Sequence, residues 1–163
     1  MRKVMVARRN SIYPEYGSSR GMGFDGSAWV VRKIIDEHRA LDRLFATTLE
    51  MLGGGGGSKR QIEDAFEELR KAMESHLGAE ETLYFPTIWD LLPEFKDRLR
   101  AFIRAHHRFR GHVQEIAGLM ESDEMEEATY VLEGLRLEFG RHERGEEDAL
   151  RSLDQEILDG ETK

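Results

Sequence analysis

The stretch MEEATYVLEGLRLEFGRHERGEEDALRSL, residues 125–153, decides the fold. Met125, Ala128, Val131, Leu132, Leu135, Phe139, Ala149, Leu150 and Leu153 recur every three or four positions, the period of one helix face. His142 and Glu146 fall on that same stripe, four residues apart, so their side chains stack on one side of the helix. A carboxylate on a core-facing stripe is costly unless it is paired or bound to metal.

Three more stripes precede this one. Ser27 is a plausible N-cap, and Val31, Ile34, Ile35, His38, Leu41, Phe45, Thr48, Leu49 and Leu52 predict a helix over 27–52. Five glycines, Gly53 to Gly57, then force a turn. No strand leads into them and no Gly-Lys-Ser/Thr ending follows, so they do not form a phosphate loop. From Ser58 the second stripe is Ile62, Phe66, Leu69, Met73, His76, Glu80, Leu83 and Tyr84, running to about Phe85 or slightly beyond, with Pro86 expected to bend or end it. Leu91 to Glu94 makes a connection, with Pro93 near the next helix start. The third stripe is Leu99, Phe102, Ile103, His106, Phe109, Val113, Ile116 and Met120. Ser122, with Asp123 competing, is expected to cap the last helix. Four amphipathic helices of roughly 25 residues with short links predict an all-α, antiparallel up-down-up-down four-helix bundle over 27–157. An irregular N-terminal arm, 1–26, precedes it and a tail, 158–163, follows it.

Composition narrows the function. In 163 residues, 24 Lys and Arg stand against 32 Asp and Glu, a net charge of −8. That balance disfavours a broad nucleic-acid face or an anionic membrane surface. With no Cys, thiolate metal sites, iron–sulfur clusters and Cys nucleophiles are excluded. No stretch approaches 18 uninterrupted apolar residues, and the basic start, with Arg8 and Arg9, carries no apolar signal core, so a cytoplasmic protein is expected. The arm is basic and rich in Gly and Ser. Two readings of it stand side by side: an ordered arm held by Tyr13, Tyr16, Met22 and Phe24, or a disordered or docking tail.

The polar residues on the stripes carry the chemistry. His38, His76, His106 and His142 supply one core-facing imidazole per helix, and Glu80 and Glu146 each follow a histidine by four residues. Counted from the turns at a rise of about 1.5 Å per residue, the paired residues of each hairpin differ in height by about one to two turns, so all six meet in one layer. The spacing from 38 to 76 resembles that from 106 to 142, two similar hairpins. His and Glu layered in this way are how a bundle builds a dinuclear metal site. His107 competes with His106, but His106 shares its face with Phe102, Phe109 and Val113. His112 falls off that face. Glu81 and Glu147 are candidates to support the ligands from behind or to face solvent, Tyr84 to hydrogen-bond a ligand or, by preference, to close the core, and Phe45, Phe102 and Phe109 to wall the site. Gly78 and Gly145 each cost about 1 kcal/mol against Ala inside a helix, which either a close approach at the site or plain sequence drift would account for, since Gly111, Gly134 and Gly140 also fall inside helices. Two open acids flanking a cleft, as glycosidases need, and a serine at a strand-to-helix elbow are both missing from this pattern.

These motifs resemble the hemerythrin-like, or HHE cation-binding, family. The resemblance is carried by Asp36-Glu37-His38-Arg39-Ala40-Leu41, by His76 to Glu80 continuing through Glu81-Thr82-Leu83-Tyr84-Phe85-Pro86, by Ala105-His106-His107 and by His142 to Glu147, and it covers about 30–153. It implies an antiparallel four-helix bundle around a non-haem di-iron centre with a bridging oxo or hydroxo group. Glu80 and Glu146 would bridge the irons, His38 and His76 would serve one, and His106 and His142 the other. The sequence departs from oxygen-carrying hemerythrins, which have two histidines four apart on the third helix. Here the partner of His106 would be Phe102 or Arg110, and that of His107 would be Ile103 or Gly111. The last carboxylate is a Glu four residues after its His rather than an Asp five after. Both departures resemble the broader HHE branch; water, His107 or a neighbouring Glu would complete the ligand set, or nothing would.

Imidazole and carboxylate donors suit Fe or Mn and accommodate Zn. The leading expectation is a di-iron protein that binds O2 or another small diatomic ligand, or senses oxygen or iron. A di-iron peroxidase or catalase-like enzyme acting on H2O2 uses the same ligands. A structural or interaction bundle with a passive metal is the third reading.

Overall fold

A computed structural model describes residues 25–160 apart from 55 and 92, with side chains from 31 to 151 apart from 87 and 90–93. The expected arm contacts at Tyr13, Tyr16, Met22 and Phe24 and the last three residues lie outside the described residues. Helix α1 spans Asp25–Leu52, α2 Lys59–Ala79, α3 Phe85–Leu91, α4 Lys96–Glu121 and α5 Met125–Gly160. A wide π-helical turn, Glu80–Tyr84, joins α2 to α3, and a 3-10 turn, Pro93–Phe95, leads into α4. The chain is thus an all-α four-helix bundle, with α2 and α3 sharing one of its four positions. α5 packs against both α4 and α1, α1 also packs on α2, and α2 meets α4. No described helix is long and apolar enough to cross a membrane.

Local chemistry sets the turns at one end. Gly54 and Gly56 have φ of +95° and +93°, a region that favours glycine. Ser58 closes a capping box with Gln61, which starts α2. Ser122 does not start the last helix as expected. It closes α4 instead: Asp123 N–H donates to Met120 O and Glu124 N–H to Leu119 O, with Asp123 itself at φ 64°. That is a Schellman stop with Asp where Gly is usual. Lys59 Nζ reaches Asp123 at 2.9 Å, tying the start of α2 to the α4–α5 turn.

At the other end the expected single second helix is interrupted. A proline ring clashes with the carbonyl four residues back, here that of Thr82. The turn before Pro86 is widened, with Phe85 N–H bonded to Glu80 O, and the helix continues past Pro86 as α3 rather than ending there. Two apolar clusters result. The larger includes Leu41, Phe45, Leu69, Phe109, Leu132 and Phe139; the smaller includes Ile34, Tyr84, Phe85, Ile88, Leu99 and Leu150. Fully burying one such side chain is worth about 1.5–3 kcal/mol, so the bundle is held on both sides of the polar layer between them.

Candidate metal centre

His38 comes from α1, His76 from the last turn of α2, Glu80 from the first residue of the wide turn, His106 from α4, and His142 and Glu146 from α5. All six are buried. Their donor atoms form two groups, His38–His76–Glu80–Glu146 and Glu80–His106–His142–Glu146, each within a 4.8 Å span. The two carboxylates belong to both groups, as a bridged pair of metal ions requires. Nε2 of His76 and of His106 lie 3.3 Å from the two oxygens of Glu80. Nε2 of His38 is 3.6 Å from Glu146 Oε2, and that of His142 is 2.8 Å from Glu146 Oε1.

The fit to metal rests on what these atoms lack. Both oxygens of Glu80, both of Glu146, and Nε2 of His38 and His76 are buried without a hydrogen-bond partner. Even the 2.8 Å approach to His142 lacks hydrogen-bond alignment. Buried polar groups are rarely left so, and each costs about 1–3 kcal/mol. A cation at each group would satisfy all of them, and neutral imidazole with carboxylate is a fitting donor set for Fe, Mn or Zn.

The outer nitrogens are held in the opposite way. Nδ1–H of His38 donates to Glu147 (3.1 Å), that of His76 to Glu37 (3.0 Å) and that of His106 to Glu81 (2.8 Å). This fixes the tautomer that turns the Nε2 lone pairs inward. Surface cations brace the carboxylates: Lys33 on Glu37, Arg110 on Glu81 and Arg151 on Glu147.

Without metal the layer holds protons instead. Burial works against the His38 imidazolium, but Glu146, Glu143 and Glu147 outweigh it and raise its pKa to about 9. His106 also reaches about 9, against burial, through Glu146, Glu80 and Glu81. Burial and the neighbouring Glu146 push Glu80 up. Glu146 goes down in spite of burial, because three imidazoles surround it.

Aromatic rings close the layer. Phe85 stacks on His106 with centroids 5.7 Å apart, and Phe102 meets His142 edge-on at 5.3 Å. Both line a small apolar pocket with Ile34, Ile88, Leu99 and Leu150, and its polar floor is Glu80 and Glu146. Phe45 and Phe109 sit in the larger apolar cluster with Phe139, rather than along this pocket.

The remaining sequence candidates separate clearly. His107 is exposed. His112 is at the surface between Glu115 and Glu138. Glu81 and Glu147 back two histidines, whereas Tyr84 packs in the smaller apolar cluster. A Cβ on Gly145 would touch Phe102 at 3.6 Å, but one on Gly78 would meet nothing within 4 Å, so no close approach accounts for Gly78.

Three features escaped the sequence reading. Glu37 had a signal: it adjoins His38 on the flank of α1, as Glu81 adjoins Glu80. Glu143 is buried, and its carboxyl rises to about 8, driven by burial with Asp42, Glu146 and Glu147 adding and His38 opposing. Its spacing of four to Glu147 was the clue. The wide turn left no periodic trace. π-turns of this kind frequently fall at functional sites, and this one begins at Glu80.

No curated protein and no solved structure was found to match the chain significantly. The family model of the hemerythrin HHE cation-binding domain matches residues 30–153, which include all six residues of the polar layer. A match over most of the chain, on a four-helix bundle with two His/Glu groups sharing their carboxylates, places this protein in the hemerythrin HHE cation-binding domain family.

Proposed function

We infer that this chain holds two metal ions, iron in first place and manganese or zinc as alternatives, and that it binds O2 or a similar small diatomic ligand, as a carrier or a sensor. Each ion would take two imidazoles, His38 with His76 and His106 with His142, while Glu80 and Glu146 bridge them. Two redox-active ions so placed would supply electrons to the bound ligand.

The observation that carries the ligand class is the pocket. Among the described residues its walls are Ile34, Phe85, Ile88, Phe95, Leu99, Phe102, Ala149 and Leu150, and its only polar ones are the two shared carboxylates. An apolar diatomic molecule pays no desolvation cost to enter it. Hydrogen peroxide would leave water hydrogen bonds behind and find no side-chain donor among the described residues there, which supports O2 over H2O2. Phe85 and Phe102 screen the His106 and His142 edges from water. Glu37, Glu81 and Glu147 hold three imidazoles in their ligating tautomer.

The test is metal analysis of anaerobically purified protein, followed by visible spectra before and after air. Near two irons per chain, with absorption that appears in air and bleaches on deoxygenation, is the expected result. Steady H2O2 turnover by the loaded protein would move the reading to a peroxidase or catalase-like enzyme. A loaded protein inert to both would leave a passive metal staple. Absence of bound metal after reconstitution would remove the reading.

A further inference from the structure

The geometry points to two inequivalent metal positions: the His38–His76 position fills first and holds its ion tightly, and the His106–His142 position is labile. This rests on the dimetal reading above. It is carried by the carboxylates behind the imidazoles, which differ between the two groups.

Both imidazoles of the first group are backed. His38 Nδ1–H donates to Glu147 at 3.1 Å and His76 Nδ1–H to Glu37 at 3.0 Å. A carboxylate there fixes the ring and makes Nε2 a stronger donor to metal. In the second group only His106 is backed, by Glu81 at 2.8 Å. That carboxylate also takes Arg110 Nη1 at 2.8 Å, as Glu37 takes Lys33 and Glu147 takes Arg151, so the cations do not separate the two groups and the unbacked His142 does. Nδ1 of His142 has no hydrogen-bond partner among the described residues. Its ring is surrounded by aromatic ones instead, Phe109 at 5.0 Å and Phe102 at 5.3 Å. It is also the most accessible of the four, 8% exposed against 3% for His38 and His76 and 0% for His106. A ring without a second anchor loses orientation more easily and gives a weaker bond. The labile position is also the one flanked by Phe85 and Phe102, the rings that wall the apolar pocket.

The experiment is an anaerobic titration of metal-free full-length protein with Co(II), followed by d–d absorption and calorimetry. The expected result is two steps with dissociation constants separated by about tenfold or more. One cobalt per chain then survives dialysis. Glu37→Gln and Glu147→Gln each weaken the His38–His76 position by roughly 10–100-fold, which brings it level with or below the other, while Glu81→Gln weakens the second step alone. The first-equivalent cobalt spectrum changes in Glu37→Gln and stays as wild type in Glu81→Gln. The wild-type titration requires no variant to fold. Two equal steps, or one cooperative step for both ions, would overturn the inequivalence and leave the dimetal reading standing. Failure to bind either Co(II) or Fe(II) would overturn both.

Discussion

Raising the pH of the metal-free protein from 6.5 to about 9.5 should destabilise it, and the structure supplies the magnitude. The pKa values of His38 and His106 rise from 6.5 to about 9 because carboxylates outweigh the burial of both imidazoles. The folded chain therefore binds these protons more tightly than the unfolded chain does. The resulting stability is fully present below pH 6.5 and is lost as pH rises through about 9. Each gap corresponds to about 3 kcal/mol. The two imidazoles share Glu146, so together they give less than twice that. Glu143, raised to about 8, works in the same direction, because its buried carboxyl must ionise as pH rises. A total loss of about 3–6 kcal/mol follows, and at about 2–4 °C per kcal/mol for a chain of this size the melting temperature falls by at least roughly 6 °C. The assay is urea unfolding followed by far-UV circular dichroism, on chelated protein and on metal-loaded protein. In the loaded protein metal replaces these protons, so the slope flattens and uptake at neutral pH releases protons to the buffer. A stability of the chelated protein that is flat or rising across this window would refute the reasoning.

Three further outcomes follow from the same geometry. His76→Ala or Glu146→Ala should lose at least one metal ion per chain by elemental analysis, whereas His112→Ala, at the surface between Glu115 and Glu138, should retain the full content; wild-type content in the first two would sink the ligand assignment. Gly78→Ala should stabilise the protein by about 1 kcal/mol in denaturant unfolding, since the helix gains and the new Cβ meets nothing within 4 Å; a loss of stability would mean that the α2 end is strained in a way the contacts do not reveal. Phe139→Ala, which removes a buried ring packed against Phe45 and Phe109, should cost about 3–5 kcal/mol and broaden the thermal transition; a cost below about 1 kcal/mol would contradict the packing.

The bundle and its six-residue polar layer were legible because helical period is a local property. His142 and Glu146 share a face through backbone geometry alone, and so do His76 and Glu80, whatever surrounds them. Five glycines end a helix by entropy, and the turns on either side place the stripes at matching heights. The sequence could therefore specify which side chains meet.

How they meet was decided between helices. The preference for His106 over His107 has its counterpart in a buried and an exposed ring. The hydrogen bond from His76 to Glu37 joins α2 to α1, and that from His106 to Glu81 joins α4 to the wide turn, over separations of 39 and 25 residues. No period in one strand of text encodes such a pair, because it depends on the rotation of one helix against another. The wide turn at Glu80 is likewise an accommodation between Pro86, which has no N–H to donate to the carbonyl behind it and clashes with it, and the packing that carries the helix onward. Periodicity thus determined the elements and the layer, while the mutual rotation of packed helices decided the backing of each imidazole, the side on which the apolar pocket opens and the difference between the two halves of the site.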